Sequence, residues 1–291
     1  MEIRVLRYFL AVAREESILG ASEVLHISQP TLSRQLMDLE NELGKKLFIR
    51  GNRRITLTDE GMILRKRAEE IVGLVEKTES EITSSDADIS GEVYIGGGET
   101  DGMRVVARAA NQIIGEGYDI RFHIFSGNGI DVAERLDKGL IDFGLFVEGA
   151  DLKKYDSIRL PVTDTWGVLM RRDNPLAAKK SVKAADLAGV PLLVSKQAAD
   201  TNELSGWLKT EDIKIKGTYN LLYNASLMVD EGVGCALCLD KIINLTEDGN
   251  LCFRPLSPKR EARLDIAWKR YQVFSKASEL FLNKLREICA E

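Results

Sequence analysis

At 291 residues the chain is long enough for about two domains, each with its own core. With 44% hydrophobic and 29% charged residues it has the composition of an ordinary globular protein, not of a disordered, fibrous or membrane-embedded one. Its formal net charge of −5 argues against bulk attraction to DNA or to an anionic membrane, so any affinity for polyanions must come from local charge.

The chain opens on MEIRVLRYFLAVAREES, which is charged and amphipathic and unlike a signal peptide. No apolar run could span a bilayer, so a cytoplasmic location without a membrane partner is expected. A first helix is predicted from Ile3 to Glu15, with Leu6, Phe9, Leu10 and Ala13 facing inward. From Ile18 to Leu43 the pattern is two short helices split at His26-Ile27-Ser28. Ile18, Ala21, Val24 and Leu25 form one apolar stripe; Leu32, Leu36, Leu39 and Leu43 form the other. Ser28 suits an N-cap, and Pro30 falls in the first turn, where its missing N–H costs nothing. Two helices joined by so tight a turn match the helix-turn-helix, whose second helix enters the DNA major groove.

Charge placement agrees. No acid occurs from Ser28 to Met37, whereas Asp38, Glu40 and Glu42 follow. A helix entering the groove by its N-terminal end must keep carboxylates away from the phosphates. Gln29, Ser33 and Arg34 are the base-reading candidates; Ser28 and Thr31 would sit against the backbone, and Pro30 belongs to the same DNA-binding end. Next come two β-prone runs flanking Arg50-Gly51-Asn52-Arg53-Arg54, a hairpin signal that predicts a wing with Arg50, Arg53 and Arg54 for phosphates or a minor groove. Lys45, Lys46, Arg65, Lys66 and Arg67 extend this basic footprint, opposed only by Asp59 and Glu60.

Thr58 should cap a helix of about 25 residues. Leu64, Ala68, Ile71, Val75, Thr78 and Ile82 recur along it at alternating spacings of four and three. That heptad seam predicts pairing with a second copy of the chain, and hence a near-palindromic DNA site. The expected divisions are a DNA-binding domain over 1–58, a dimerisation helix over 59–84, a hinge over 85–91 and an α/β domain over 92–291.

In that last part strands alternate with helices. Val93–Ile95, Met103–Ile114, Asp119–Phe125, a helix lined by Ile130, Ala133, Leu136 and Leu140, and Ile141–Val147 form a βαβαβ series, which implies a parallel sheet. After Leu160-Pro161 a strand at Trp166–Met170 opens a second series. It continues through Leu192–Ser195, a helix at Asn202–Leu208, Ile213–Tyr219, a helix from Ala225, and Gly234–Leu239. Leu264–Trp268 and a final helix, Lys276–Cys289, would return to the first lobe. The lobes would comprise about 92–161 with 266–291, and about 162–265.

The N-terminal residues carry a resemblance. Leu6-Arg7-Tyr8-Phe9-Leu10-Ala11-Val12-Ala13, Ala21, Leu25, Ser28-Gln29-Pro30, Leu32-Ser33-Arg34-Gln35, Leu39-Glu40, Leu43-Gly44, Leu47-Phe48, Leu57-Thr58 and Gly61 occur in order. Together they resemble the winged helix-turn-helix domain of LysR-type transcriptional regulators; Ser22 departs from the usual Ala. Asp173-Asn174-Pro175-Leu176-Ala177 and Val229–Gly234 look, more weakly, like the family's C-terminal part. The resemblance implies a bilobed effector domain of the periplasmic-binding-protein type (type II). It further implies a sequence-specific DNA-binding regulator modulated by a small molecule held between the lobes, acting as a homodimer or homotetramer, with RNA polymerase as a further partner.

In open α/β sheets ligands bind beyond the carboxyl ends of strands, at helix N-termini. That singles out Thr100, Ser126, Gly127 and Asn128 in the first lobe, and Lys196, Gln197 and Asn224 in the second. Glu99 and Asp101 flank Thr100 and would oppose an anionic effector unless they point away, so a zwitterionic, hydroxylated or cationic molecule stays open. The alternative of an enzyme or transport-type binding protein with an accessory helix-turn-helix lacks support. No Ser/His/Asp, Cys/His or metal constellation is present, and His26 and His123 are the two histidines. Cys235 and Cys238 have CxxC spacing on a strand-like run with no second pair; like Cys252 and Cys289 they read as core fillers. No catalytic residue, metal or cofactor is therefore assigned.

Overall fold

A computed structural model describes residues 1–51, 54–83, 89–148, 151–200 and 213–290, in two compact units, Met1–Thr83 and Ser84–Glu291. The wing-tip residues Asn52 and Arg53, most of the hinge (85–88) and the helix expected at Asn202–Leu208 lie outside the described residues.

The first unit comprises α1 (Ile3–Glu15), α2 (Ile18–Val24), α3 (Gln29–Leu43), β1 (Phe48–Arg50), β2 (Ile55–Leu57) and α4 (Asp59–Thr83). Ser17 caps α2 by accepting from Gly20 N, and Ser28 caps α3 by accepting from Thr31 N. Between them His26 takes a left-handed φ of 52°, which turns the chain within three residues. Gly44, at φ 63°, ends α3. Leu6, Phe9, Ala21, Leu32, Leu36 and Leu39 meet in one core, with Phe48 packed on Phe9. Val5 and Val12 are buried there as well, while Leu10 and Ala13 sit at its margin. Val24, 50% exposed, and Leu43, 41% exposed, fall off the expected stripes because each helix presents only about a third of its circumference to so small a core.

The α4 seam also departs from expectation. Ala68 and its neighbour Val72 are buried in the unit's own core, and Leu64 and Ile71 pack against it. The first half of the heptad pattern thus records packing into the core of the same chain; farther along, Glu76 and Glu79 still pair with Arg7 of α1, while Leu74 and Ile82 are exposed.

The second unit contains β3 (Ser90–Gly97), α5 (Met103–Gly115), β4 (Asp119–Ser126), α6 (Gly129–Asp137), β5 (Phe143–Val147) and β6 (Tyr155–Arg171). It continues with β7 (Pro191–Ser195), α7 (Lys196–Asp200), β8 (Lys214–Tyr219), α8 (Leu222–Asp230), β9 (Cys235–Leu239), β10 (Leu251–Pro255), β11 (Glu261–Lys269) and α9 (Lys276–Ala290). Among the described residues the strands pair in the order β4-β3-β5-β11-β6-β9-β7-β8, with β10 beside β6. Only β3 with β4 and β5, and β7 with β8 and β9, are parallel; β11 is antiparallel to β5 and β6, and β6 to β9 and β10. The parallel pairing expected of the βαβαβ series is present in β4-β3-β5, and the antiparallel β11 and β6 join it to the second series.

β6 is the element shared by both lobes. Its first part pairs with β11 and its second, from Trp166, with β9 and β10. The sequence suggested a break at Leu160-Pro161, yet the strand runs through it. A register shift opposite Leu264 leaves residues 160–162 outside the ladder, and there proline's missing N–H is harmless. Ser90 and Gly91, expected in the hinge, already belong to β3. Each lobe buries both sheet faces: α5 and α9 cover one side of the first lobe and α6 the other, while α8 covers one side of the second.

Candidate functional site

The first candidate surface is the N-terminal end of α3. Leu32, Leu36 and Leu39 anchor the helix, which leaves Ser28, Gln29, Pro30, Thr31 and Arg34 exposed and Ser33 half-buried. The hydroxyls of Ser28 and Thr31 share a hydrogen bond of 2.8 Å, so both are oriented by the cap. In the wing, Phe48↔Leu57 and Arg50↔Ile55 are paired across β1 and β2. Arg54 lies 3.2 Å from Glu16, so part of its charge is already matched. Arg53 lies outside the described residues.

Sequence reasoning overlooked Glu40. It lies 5% exposed on the buried stripe of α3, four residues after Leu36. Its Oε1 accepts from Leu47 N at 2.8 Å and Phe48 N at 3.3 Å, and its Oε2 from the Lys46 ammonium at 2.8 Å. Burial alone would raise its pKa, but Lys46 and the two amides outweigh it and hold the carboxyl below its ordinary value. The apparent surface acid is a buried strut that fixes the wing to the recognition helix. Its place on the Leu stripe was the signal that could have found it.

The second candidate is a cleft between the lobes with about 660 Å³ of empty space opening to solvent. Phe146, Trp166, Tyr219 and Ile242 supply its apolar walls; Glu99, Asn128, Ser195, Gln197 and Asn220 bring polar groups to it. Among the described residues two bonds cross it, each from a side chain of one lobe to a helix N-terminus of the other. Glu99 Oε2 accepts from Leu222 N at the start of α8, where Leu221 has no side-chain cap of its own. Gln197 Oε1 accepts from Gly129 N at 2.8 Å, at the start of α6. Asn128 caps the same helix through Ile130 N at 2.9 Å and Asp131 N at 3.0 Å.

Of the residues singled out beforehand, the cleft brings together Asn128 and Gln197. Thr100 is buried instead: its hydroxyl donates to Asp164 Oδ2 and accepts from Gly102 N at 3.0 Å. Asp101 turns outward to Arg104 at 2.6 Å. The loop therefore presents Glu99 to the cleft and Thr100 to the interior, the reverse of the expected arrangement, because Thr100 finds its partner in Asp164 and Glu99 in Leu222 N. Ser126, Gly127, Lys196 and Asn224 do not line the cleft; Asn224 lies inside the first turn of α8.

Asp164, buried where β6 passes from lobe to lobe, has its pKa raised by burial, partly offset by the Thr100 hydrogen bond. Burial also pushes the thiols of Cys235 and Cys238 up to about 11 and about 12, so both stay protonated and unreactive at neutral pH. Among the described residues no cluster of side chains could hold a metal ion, and no helix is long and apolar enough to cross a membrane.

A DNA-reading helix with its wing and a cleft set between two α/β lobes define a ligand-responsive DNA-binding protein, and comparison with known proteins agrees. Residues 3–62 match the bacterial regulatory helix-turn-helix proteins of the LysR family, and residues 86–290 match the LysR substrate binding domain. The chain is 30% identical over 266 residues to the SDS degradation transcriptional activation protein of Pseudomonas sp., covering 88% of this chain and 85% of that one. It is 28% identical over 281 residues to the Hca operon transcriptional activator HcaR of Escherichia coli, covering 93% and 92%. Its fold is similar to that of CbnR, a LysR family transcriptional regulator, with a TM-score of 0.77 at 18% identity over the whole of both chains. A structure of full-length CbnR complexed with its target DNA gives 0.75 at 18% identity, over 99% of this chain and 100% of that one.

The chain belongs to the LysR family. It is a DNA-binding transcriptional regulator with an effector-binding domain, and not an enzyme.

Proposed function

We propose that a homodimer, alone or doubled into a tetramer, reads a near-palindromic site. Gln29, Ser33 and Arg34 address base edges, while Ser28, Thr31, Arg50, Arg53 and Arg54 address the backbone, with Pro30 at the same DNA-binding end. The observation that carries this reading is the exposed, acid-free end of α3 held over a packed core. The distal part of α4 supports self-association: Leu74 is 42% and Ile82 78% exposed, apolar surface that a second copy would cover. Two such modules would present their helices about 34 Å apart, one turn of duplex. RNA polymerase is the expected further partner, the cytoplasm the expected location, and no cofactor beyond the effector is proposed.

The effector occupies the cleft between the lobes. Because Glu99 and Gln197 bridge that cleft, a ligand seated there competes with or reinforces the bridges, and so biases the lobe angle that the DNA modules report. Genomic footprinting with the full-length protein, repeated with candidate metabolites, tests the reading. Protected sites with two-fold symmetry whose pattern shifts with a metabolite are expected. A monomer in solution that leaves every duplex unprotected at modest ionic strength overturns it.

A further inference from the structure

The charges around the cleft select a ligand class. Glu99 is the sole charged side chain among the described residues that line it; no Lys or Arg does. Four amides at the starts of α6 and α8, beside the cleft, are already taken. Leu222 N is held by Glu99, Gly129 N by Gln197, and Ile130 N and Asp131 N by Asn128. An anionic effector would meet the Glu99 carboxylate with no Lys or Arg among the described lining residues to offset it, at the cost of its hydration. Glu99 itself uses Oε2 for Leu222 N, which leaves Oε1 as an acceptor without a partner among the described residues. The rings of Phe146, Trp166 and Tyr219 also line the cleft; such rings accept an apolar body and attract a cation.

We infer that this regulator responds to an amine: a small molecule with an apolar, ring-sized body and a protonated amino group that donates to Glu99 Oε1. The inference rests on the cleft being the effector site. In it Glu99 has two tasks. One oxygen ties α8 to the first lobe and the other anchors the ligand, so an arriving ammonium can bind while the Glu99–Leu222 bridge stays in place.

The test uses full-length protein and three probes matched in carbon body, namely phenethylamine, phenethyl alcohol and phenylacetate, titrated by calorimetry at neutral pH. The amine should bind about tenfold or more tightly than the carboxylate, as one charge-assisted hydrogen bond requires, with the alcohol between them. Glu99→Gln keeps an acceptor for Leu222 N but removes the charge, and should bring the amine-to-carboxylate ratio close to one. A carboxylate that binds as well as the amine overturns the inference, as does a ratio unchanged in Glu99→Gln or a lack of binding by all three probes. Because the wild-type ratio decides by itself, a poorly folded variant does not shelter the claim. Ile242→Trp, which fills the cleft, separates the two levels. If it leaves phenethylamine binding intact, the cleft is not the effector site. If it abolishes binding while no charge preference exists, the site stands and the amine class falls.

Discussion

The carboxylate of Glu40, inside the recognition helix, accepts the backbone N–H of Leu47 at 2.8 Å, where the chain enters the wing. A helix and a hairpin separated by a glycine turn are thereby held as one reading head. Glu40→Ala should lower stability by about 1–3 kcal/mol, since it leaves buried N–H groups unpaired, and should weaken specific DNA binding beyond that loss. Chemical denaturation together with gel-shift titration of the folded fraction measures both; unchanged affinity would show that the strut does not serve DNA reading.

The same carboxyl sets a pH dependence. Its pKa is lower in the folded chain than the ordinary value of 4.5. Its stabilisation is therefore fully present above that ordinary value and is lost as pH falls through the lower folded value. Thermal melts across the acid limb should be flatter in Glu40→Gln than in the wild type. Parallel limbs would mean that Glu40 titrates alike in the folded and unfolded chain.

Gly61 lies in the first turn of α4, where alanine would ordinarily be favoured by about 1 kcal/mol. A Cβ there would stand 2.2 Å from the Leu47 carbonyl oxygen, which is backbone and cannot swing aside. Gly61→Ala should destabilise the first unit by about 1–3 kcal/mol despite the better helix former. A rise in the denaturation midpoint would contradict the close approach.

Gln29 on α3 and Arg54 in the wing are both exposed and ask for different readouts. Gln29→Ala should relax preference at one base position by about 1–3 kcal/mol while sparing affinity for random DNA. Arg54, half-matched by Glu16, should act as a backbone contact. Arg54→Ala should weaken all sequences alike and flatten the salt slope by about one unit. Competition binding against random duplex at several salt concentrations separates the two, and equal losses for Gln29→Ala on both DNAs would remove its base-reading role.

Asp164 is buried with the Thr100 hydroxyl as donor, and its pKa is raised. A carboxyl whose folded pKa lies above its unfolded one stabilises while protonated and loses that contribution as pH rises through the folded value. Asp164→Asn keeps an acceptor for Thr100 and discards the buried charge. It should melt higher than the wild type at neutral pH, with the difference closing as the solution is acidified toward the ordinary Asp range. A lower melting temperature at neutral pH would show that the charge is compensated within the fold.

The elements of the first unit were readable from residue order because each is a local pattern. The Leu32-Leu36-Leu39 spacing, the Ser28 cap, the turn at His26 and the acid-free start of α3 all lie within a few turns of one another. Periodicity needs no knowledge of distant chain. The same holds for most strands and helices of the second unit, down to the start of β8 and the position of β9.

What only the tertiary structure decided were relationships between residues far apart in the chain. Leu64 and Ala68 look like a dimer seam until α1 is seen to cover them. Pro161 looks like a strand end until β11 supplies a register shift that tolerates it. Glu99, Thr100 and Asp101 are three polar neighbours of equal standing in the sequence. Leu222 and Asp164, both distant in the chain, settle which faces the cleft and which the interior, while Asp101 pairs locally with Arg104. A side chain's role is fixed by the partner that satisfies it, and for buried or bridging groups that partner lies scores of residues away, where no local pattern reaches.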